Sequence, residues 1–367
     1  MDGFSIKRRK TGKIKIGNVS VGGDSPVSVQ SMTNTKTADV AATVSQIKAL
    51  AGAGCEIVRV AVPDEESAKA LSRIKKGITI PLIADIHFDW RLALRALEAG
   101  ADALRLNPGN IGSEKRVKEV VKEAKKRGVP IRIGVNSGSL EKDILAKYGH
   151  PAPEAMVESA MRHMKILEDM GFFDIKVSLK ATNVLSTISA YRLLAKKVDY
   201  PFHIGITEAG TLFSGTVKSS VGIGVLLAEG MGDTIRVSLT ADPVEEVRVG
   251  WEILKALDIR KRGVEVISCP TCGRIRIDCE KLALQVEKRL SHIKEPVTVA
   301  MMGCVVNGPG EAVQADVGIA GGDGVALLYS GGKVIRKVEE KDVVNAVIEE
   351  VERIVREREK ISVRRGS

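Results

Sequence analysis

Short apolar runs that end in polar residues recur through the first two thirds of the chain. They fall at 27–34 (VSVQSMTN), 56–63 (EIVRVAVP), 81–88 (PLIADIHF), 103–110 (ALRLNPGN), 131–138 (IRIGVNSG), 175–182 (IKVSLKAT), 202–210 (FHIGITEAG) and 235–243 (IRVSLTADP). A stretch of helical period follows each one. After the first, Asp39 stands at an N-cap position, and Val40, Val44, Ile47 and Leu50 share one face before Gly52 and Gly54. Val, Ile and Leu crowd the runs on both faces, as a parallel sheet covered by helices requires. The count of β-then-α units and their combined length match an α/β fold of the (β/α)8 TIM-barrel type. A doubly wound open sheet is the rival arrangement of the same units. The segment KIKIGNVSVGG, ahead of the first run, reads as a hairpin that closes the barrel bottom.

The pattern changes after ALDIRKRG at 256–263. Beyond it lie VEVISCP, a helix over 279–291, the runs PVTVAMMGCVVNGPGEA, ADVGIAGG and GVALLYSGG, and a charged helix over 339–358. The chain therefore divides into a barrel domain at 1–260 and a small α+β module at 261–358, with 359–367 as a loose tail.

Charge narrows the partner. Lys and Arg number 56 against 46 Asp and Glu, a net charge of +10. Nucleic acid, an anionic membrane or a phosphorylated small molecule would each suit a basic protein. Aromatic residues are only 3% of the chain, too few for a surface that stacks bases, so a phosphorylated small molecule is favoured over nucleic acid. MDGFSIKRRK has no apolar core of signal-peptide length, and no window approaches the ~20 apolar residues of a membrane span. Five cysteines suggest a reducing cytoplasm rather than a disulfide framework.

In a barrel the C-terminal strand ends carry the chemistry. Here those ends hold Arg59, Asp85, His87, Arg105, Asn107, Arg132, Asn136, Lys180, Glu208 and Ser238. Arginines match phosphate oxygens bidentately, and three of them with a lysine around one rim suggest a diphosphate. Any one strand Arg could instead point outward into a salt bridge. His87 alone could be a satisfied core histidine, but Asp85, two residues earlier, faces the same way. Glu208 stands where a general acid would, and equally where a helix cap would. Cys55 reads as a small buried hydrophobe.

Cys269 and Cys272 lie in SCPTCGR, and Cys304 opens CVVNGPGE at the end of the next strand. Three thiols on two turns can converge on one centre. The fourth ligand is open between Cys279 and Glu311, which follows the Gly-Pro-Gly turn. Zinc would prefer a second C-x2-C pair or a nearby His, and neither is present. From spacing, a [4Fe–4S] cluster, zinc and unliganded thiols all stay in play.

SVQSMTNT, ADIHF, LRLNPGN, SCPTCGR and GCVVNGPGEA, in this order, resemble the bacterial 4-hydroxy-3-methylbut-2-enyl diphosphate synthase family of the methylerythritol phosphate route to isoprenoids. The likeness runs from about residue 10 to 355. It implies a barrel joined to a cluster domain similar to those of sulfite and nitrite reductases, with a [4Fe–4S] cluster on Cys269, Cys272, Cys304 and Glu311 and with Cys279 a bystander. It implies 2-C-methyl-D-erythritol 2,4-cyclodiphosphate as substrate, opened and dehydroxylated by two electrons from flavodoxin or ferredoxin. Arg59, Arg105, Asn107, Arg132, Asn136, Lys180 and Ser238 fall where that family holds diphosphate; Asp85, His87 and Glu208 fall among its reaction-site residues. Glu208 is the expected proton donor to the departing hydroxyl. Residues 242–257 should form the last barrel helix and run back to the bottom face, away from the mouth. The family's head-to-tail homodimer, in which each cluster domain caps the partner barrel, answers that geometry. Two other classes compete: a zinc-stapled barrel that acts on nucleic acid, and a regulatory protein with a structural cluster.

Overall fold

The computed structural model describes residues 6–366, with side chains described through 361. Residues 1–5 and Ser367, counted above in the barrel domain and the tail, lie outside the described residues. The chain forms two compact units, 1–260 and 261–367.

The first unit begins with an antiparallel hairpin, β1 (Lys13–Ile16) and β2 (Val19–Gly22). Eight parallel strands follow: β3 (Ser28–Met32), β4 (Ile57–Ala61), β5 (Leu82–Asp85), β6 (Ala103–Arg105), β7 (Ile131–Asn136), β8 (Ile175–Lys180), β9 (His203–Ile204) and β10 (Thr234–Ile235). They pair in the order β8-β7-β6-β5-β4-β3-β10-β9, and a parallel bridge from Val177 to Phe202 brings the two ends together into a barrel. Helices separate successive strands. The first, Val40–Ala53, starts where Asp39 accepts a hydrogen bond from the Ala42 amide at 3.0 Å and stops at Gly54 with φ 106°. β9 and β10 are shorter than the runs read at 202–210 and 235–243, because the chain leaves the sheet early to form the loops that carry Glu208 and Ser238.

Strand alternation sorts the side chains, and it corrects the expectation of apolar residues on both faces. In β8, Ile175, Val177 and Leu179 join the apolar layer beneath the helices, which leaves Lys176, Ser178 and Lys180 for the barrel interior. In β7 the same alternation puts Ile131, Ile133 and Val135 outside and Arg132 inside. Only the lowest interior layer is apolar: Ile57, Ile83 and Ala103 pack with Ile14, Ile16 and Val21 of the hairpin. The hairpin thus plugs the N-terminal end, and the interior above it is largely polar, with Met32 turning its sulfur toward Arg59.

The second unit is a five-stranded sheet, β11 (Val264–Ser268), β12 (Val297–Met302), β13 (Val317–Gly322), β14 (Val325–Ser330) and β15 (Lys333–Glu339), in sequence order. β11, β12 and β13 run parallel; β14 and β15 are antiparallel additions. Val297, Val299, Met301, Val317 and Ile319 share one core with Leu282 and Val286 of helix Cys279–Leu290 and with Val347 and Val351 of helix Val343–Gly366. That last helix continues through residues 359–366, in place of the loose tail expected there. Its Arg- and Glu-rich composition favours helix, and an i,i+4 pair joins Arg353 to Glu357. Short helix Gly308–Gln314 lies over β12 and β13, where Ala312 packs on Ala320. Gly318 makes this approach possible, since a Cβ there would sit 2.5 Å from the Ala312 Cα.

Candidate active site at the barrel mouth and the cysteine-bearing turns

Four strands place a row of charges in register: Asp85 on β5, Arg105 on β6, Arg132 on β7 and Lys176 on β8. All four side chains are buried. Arg105 donates through Nη1 to Asp85 Oδ1 at 3.2 Å and through Nη2 to the Gly134 carbonyl at 3.1 Å. His87 covers Arg105 from the exposed side, with Nε2 at 2.8 Å from Nη1. Arg59 Nε stands 3.4 Å from Asp85 Oδ2. Asn107 spans the backbone of Gly134, donating to its carbonyl and accepting from its amide, both at 3.0 Å. Gly134 leaves room for both guanidinium groups, because a Cβ there would meet Arg105 Nε at 2.9 Å and Arg132 Nη2 at 3.0 Å. The geometry brings Arg59, Asp85, His87, Arg105 and Asn107 into one connected group, with Arg132 packed beside Arg105.

Electrostatics shows what this group lacks. Burial disfavours the charge on Asp85, but Arg59, a hydrogen bond from His87, Arg105 and Arg132 together hold its carboxyl far below the usual range. Burial lowers Arg59 to about 10, with Asp85 opposing and Arg236 and Arg105 adding to the effect. Arg132 is pushed well below its ordinary value by burial and then by Arg59 and Arg105. Its Nε and Nη1, like Arg105 Nε, have no hydrogen-bond partner among the described residues. Buried donors on crowded cations are costly unless something negative meets them. An anion is what the arrangement is short of.

The remaining predicted residues ring this group. Lys180 ends β8, buried, with Nζ 3.3 Å from His203 Nε2. Asn136 ends β7 half-buried, and Ser238 is half-buried in the loop after β10. Glu208 is exposed on the loop after β9, accepts from Thr182 Oγ1 at 3.2 Å, and holds φ at 51°. A non-glycine residue at positive φ stores strain, a feature concentrated at functional sites. The sequence reading missed Lys176, His203 and Arg236. Each lies an even number of residues from a residue that was found or from its strand partner's face: Lys176 four before Lys180, Arg236 two before Ser238. Strict alternation was the available signal.

The cysteine-bearing end is built differently. β11 and β12 run parallel with Ser268 beside Met301, so Cys269 and Cys304 leave the same end of the sheet. Cys269 is half-buried and its Sγ accepts from the Gly303 amide at 3.2 Å. Cys272 is exposed, Cys304 half-buried, and Glu311 lies exposed in the first turn of helix Gly308–Gln314. Among the described residues no three His, Cys, Asp or Glu side chains close into a metal-holding group. Cys279 is instead the neighbour of Cys269, at 4.0 Å between sulfurs, and donates to the Met301 carbonyl at 3.1 Å. Burial, together with Cys269, pushes the Cys279 thiol up to about 12, a poor thiolate. Cys55 is likewise buried at about 12 and donates to the Ile57 carbonyl. The donor chemistry at this end, three free thiols and a carboxylate with an amide already aimed at one sulfur, fits an iron–sulfur cluster.

A (β/α)8 barrel with an anion-seeking mouth, followed by an α+β unit that presents thiols, defines a two-domain barrel enzyme. The GcpE TIM-barrel domain matches residues 11–251, and the GcpE protein C-terminal domain matches 265–353. The chain belongs to the GcpE family. A 4-hydroxy-3-methylbut-2-en-1-yl diphosphate synthase (flavodoxin) of Geobacter sulfurreducens is 63% identical over 351 residues, 96% of this chain and 99% of its own. Proteins of the same name from Caldanaerobacter subterraneus and Maridesulfovibrio salexigens are 61% and 60% identical, each over 96% of this chain and 99% of their own length.

Proposed function

We propose that this chain reduces 2-C-methyl-D-erythritol 2,4-cyclodiphosphate to (E)-4-hydroxy-3-methylbut-2-enyl diphosphate, with the barrel mouth as the substrate site. Beyond family membership, the observation that carries this reading is Arg132, buried among Arg59 and Arg105 with Nε and Nη1 that meet no partner among the described residues. Two electrons and one proton enter, the bond between ring carbon and phosphate oxygen breaks, and a hydroxyl leaves as water. The dianionic ring becomes a trianionic chain, so negative charge grows at the phosphates during the reaction. Arg59, Arg105, Arg132 and Lys180, fixed on strands, meet that growing charge without reorganising. Asn107, Asn136 and Ser238 orient the diphosphate. Asp85 keeps Arg59 and Arg105 aimed, and His87 covers them. Glu208, exposed on its strained loop, gives the proton to the departing hydroxyl.

Cys269, Cys272, Cys304 and Glu311 would hold a [4Fe–4S] cluster, which supplies single electrons and a Lewis-acidic iron when bound. The electron donor is flavodoxin, the word printed in the relatives' names, with ferredoxin the alternative. The site of action is the cytoplasm; among the described residues no helix is long and apolar enough to cross a membrane.

The working form is a homodimer in which each cluster-bearing unit caps the barrel of a second copy. Arg260, at the end of the barrel unit, donates to the Val27 carbonyl at 2.7 Å and pairs with Glu56 at 2.8 Å, both just before their strands begin. The chain therefore leaves the barrel at its plugged face, opposite the mouth. Phe88, in the loop after β5, and Phe213, in the first turn of helix Leu212–Ala228, are 77% and 83% exposed, and Val305 and Val306 beside Cys304 are 64% and 61% exposed. Large exposed apolar groups of this kind await a partner.

Mixing two inactive variants tests substrate site, cluster site and dimer together. Cys304→Ser and Arg132→Met should each lack turnover of the cyclic diphosphate, and after dissociation and remixing a fraction of activity should return, because one barrel in each mixed dimer has both parts intact. No recovery from well-folded, mixed chains would sink the capped dimer.

A further inference from the structure

Below the mouth, the barrel interior holds titratable groups that the proposed reaction leaves unused. Lys176 is buried beside Arg132, its register partner, and its Nζ donates to Thr234 Oγ1 at 3.3 Å. His203 is fully buried; its Nδ1 has no partner among the described residues and its Nε2 faces Lys180. A hydrogen bond between Lys180 and His203 requires one of the two nitrogens to offer a lone pair. While it persists, the pair cannot carry two charges.

The surroundings explain why. From β4, β7 and the segment after β10, Arg59, Arg132 and Arg236 all bear on these groups. Glu246, from helix Pro243–Ala256, opposes them but stands 3.6 Å from Arg236. Asp233, below, acts on Lys176 yet is engaged by Arg8 at 2.8 Å. β3 contributes only uncharged Ser28 and Gln30, and the Gln30 amide is unpartnered. β5 and β6 contribute Asp85 and Arg105, which are bound to each other. Tyr191, from the helix layer, spends its hydroxyl on the His203 carbonyl. Among the described residues these groups face an excess of positive charge.

We propose that Lys180, His203 and Lys176 form a proton store beneath the diphosphate site, which takes up a proton from solvent for each diphosphate that enters the mouth. The inference rests on the mouth being that site. An entering anion reverses the local field: Lys180 becomes a full ammonium toward the phosphate, His203 is freed to charge, and Lys176 supports both from below. Burial, then Arg132, already lowers Lys176 to about 7, and burial with neighbouring cations lowers Lys180 and His203 well below their ordinary values. The uptake matters to turnover, since the product carries one more negative charge than the substrate and the store supplies the matching positive charge.

Titration calorimetry decides the matter. The cluster-loaded enzyme, without reductant so that no turnover occurs, is titrated with the cyclic diphosphate in buffers of low and high ionisation enthalpy. Near pH 8 the heats should differ by the equivalent of about one proton per site, and the difference should shrink as pH drops through about 7, where Lys176 is already charged in the free protein. Lys176→Met and His203→Gln should each lower the uptake by about half or more, with thermal melting as the check on folding. Binding with buffer-independent heat, or full uptake in both variants, would overturn the store. Absence of binding in the wild-type enzyme would instead overturn the reading of the mouth, and the store with it.

Discussion

The barrel mouth and the cysteine-bearing turns are two sites made by opposite means. At the mouth, Arg59, Arg105, Arg132 and Lys180 project from strands and are buried; Asp85, the Gly134 carbonyl, His87 and His203 hold Arg59, Arg105 and Lys180, and Arg132 is packed among them. At the other site Cys269, Cys272, Cys304 and Glu311 stand on turns and a short helix, from half-buried to exposed, with no three donors closed on a point among the described residues. The difference follows from the ligand. Cations that await an anion repel one another, so the fold must pin them in advance. Thiols that await a metal repel only weakly while protonated, and the metal itself imposes the final geometry. One site is finished before its ligand arrives; the other is finished by it.

Breaking each site alone should therefore give different signatures. The largest effect is expected from Cys304→Ser. Anaerobically loaded protein should lose its brown absorption and iron, with turnover down at least about 1000-fold. Its barrel should still bind diphosphate with wild-type affinity in calorimetry. Arg132→Met should do the reverse. Removal of one charged donor to an anion costs about 2–3 kcal/mol, or roughly 30- to 150-fold in affinity for the cyclic diphosphate. Iron content should not change, and the melting temperature should stay level or rise, because Arg132 is crowded by Arg59 and Arg105 in the free protein. A lower melting temperature with unaltered affinity would remove Arg132 from the site.

The two sites were also unequally legible in the sequence. The succession of β-then-α units, the plugging hairpin and the polar residues at strand ends followed from apolar period and turn chemistry, whereas closure into a barrel rather than a doubly wound sheet is fixed by the observed pairing of the end strands. Arg105 and Arg132 were readable because a polar residue inside an apolar run has to go somewhere. Lys176 and His203 obeyed the same alternation and were overlooked, since attention to strand ends hides the tier beneath. Val, Ile and Leu did not fill both strand faces: the interior belongs to polar residues that interrupt each run. The C-terminal helix extends past the expected boundary, through residues 359–366. The ligand set could not be read from spacing. Cys279 and Glu311 were equal candidates by position, and what separates them is depth: Cys279 is buried and donates to Met301, while Glu311 is exposed. Burial of a helix's first residue depends on what packs against it, which no local spacing reveals.

Two smaller effects sharpen the contrast between a pinned site and an assembled one. Gly318→Ala would place a Cβ 2.5 Å from Ala312 Cα and Cβ, so helix Gly308–Gln314 must lift from the sheet and carry Glu311 with it. Overpacking of this kind costs about 1–3 kcal/mol. Iron should be lost more readily to a chelator, with diphosphate affinity untouched; iron retention equal to wild type would show that Glu311 does not need that seat.

Lys176→Met tests the pinned site through stability. In the unfolded chain this lysine keeps its proton up to about pH 10.4, whereas burial beside Arg132 lowers it to about 7 in the fold. Between those values the unfolded chain binds more protons, so the wild-type lysine makes stability rise with pH across that window. Below about pH 7 the penalty is complete and constant. Methionine fills nearly the same volume without the charge. The variant should therefore melt higher than wild type near neutral pH, and the gap should narrow as pH rises and close near the upper value. A gap that is constant with pH would mean that Lys176 keeps its proton in the fold, and that the barrel interior tolerates the extra charge without an anion.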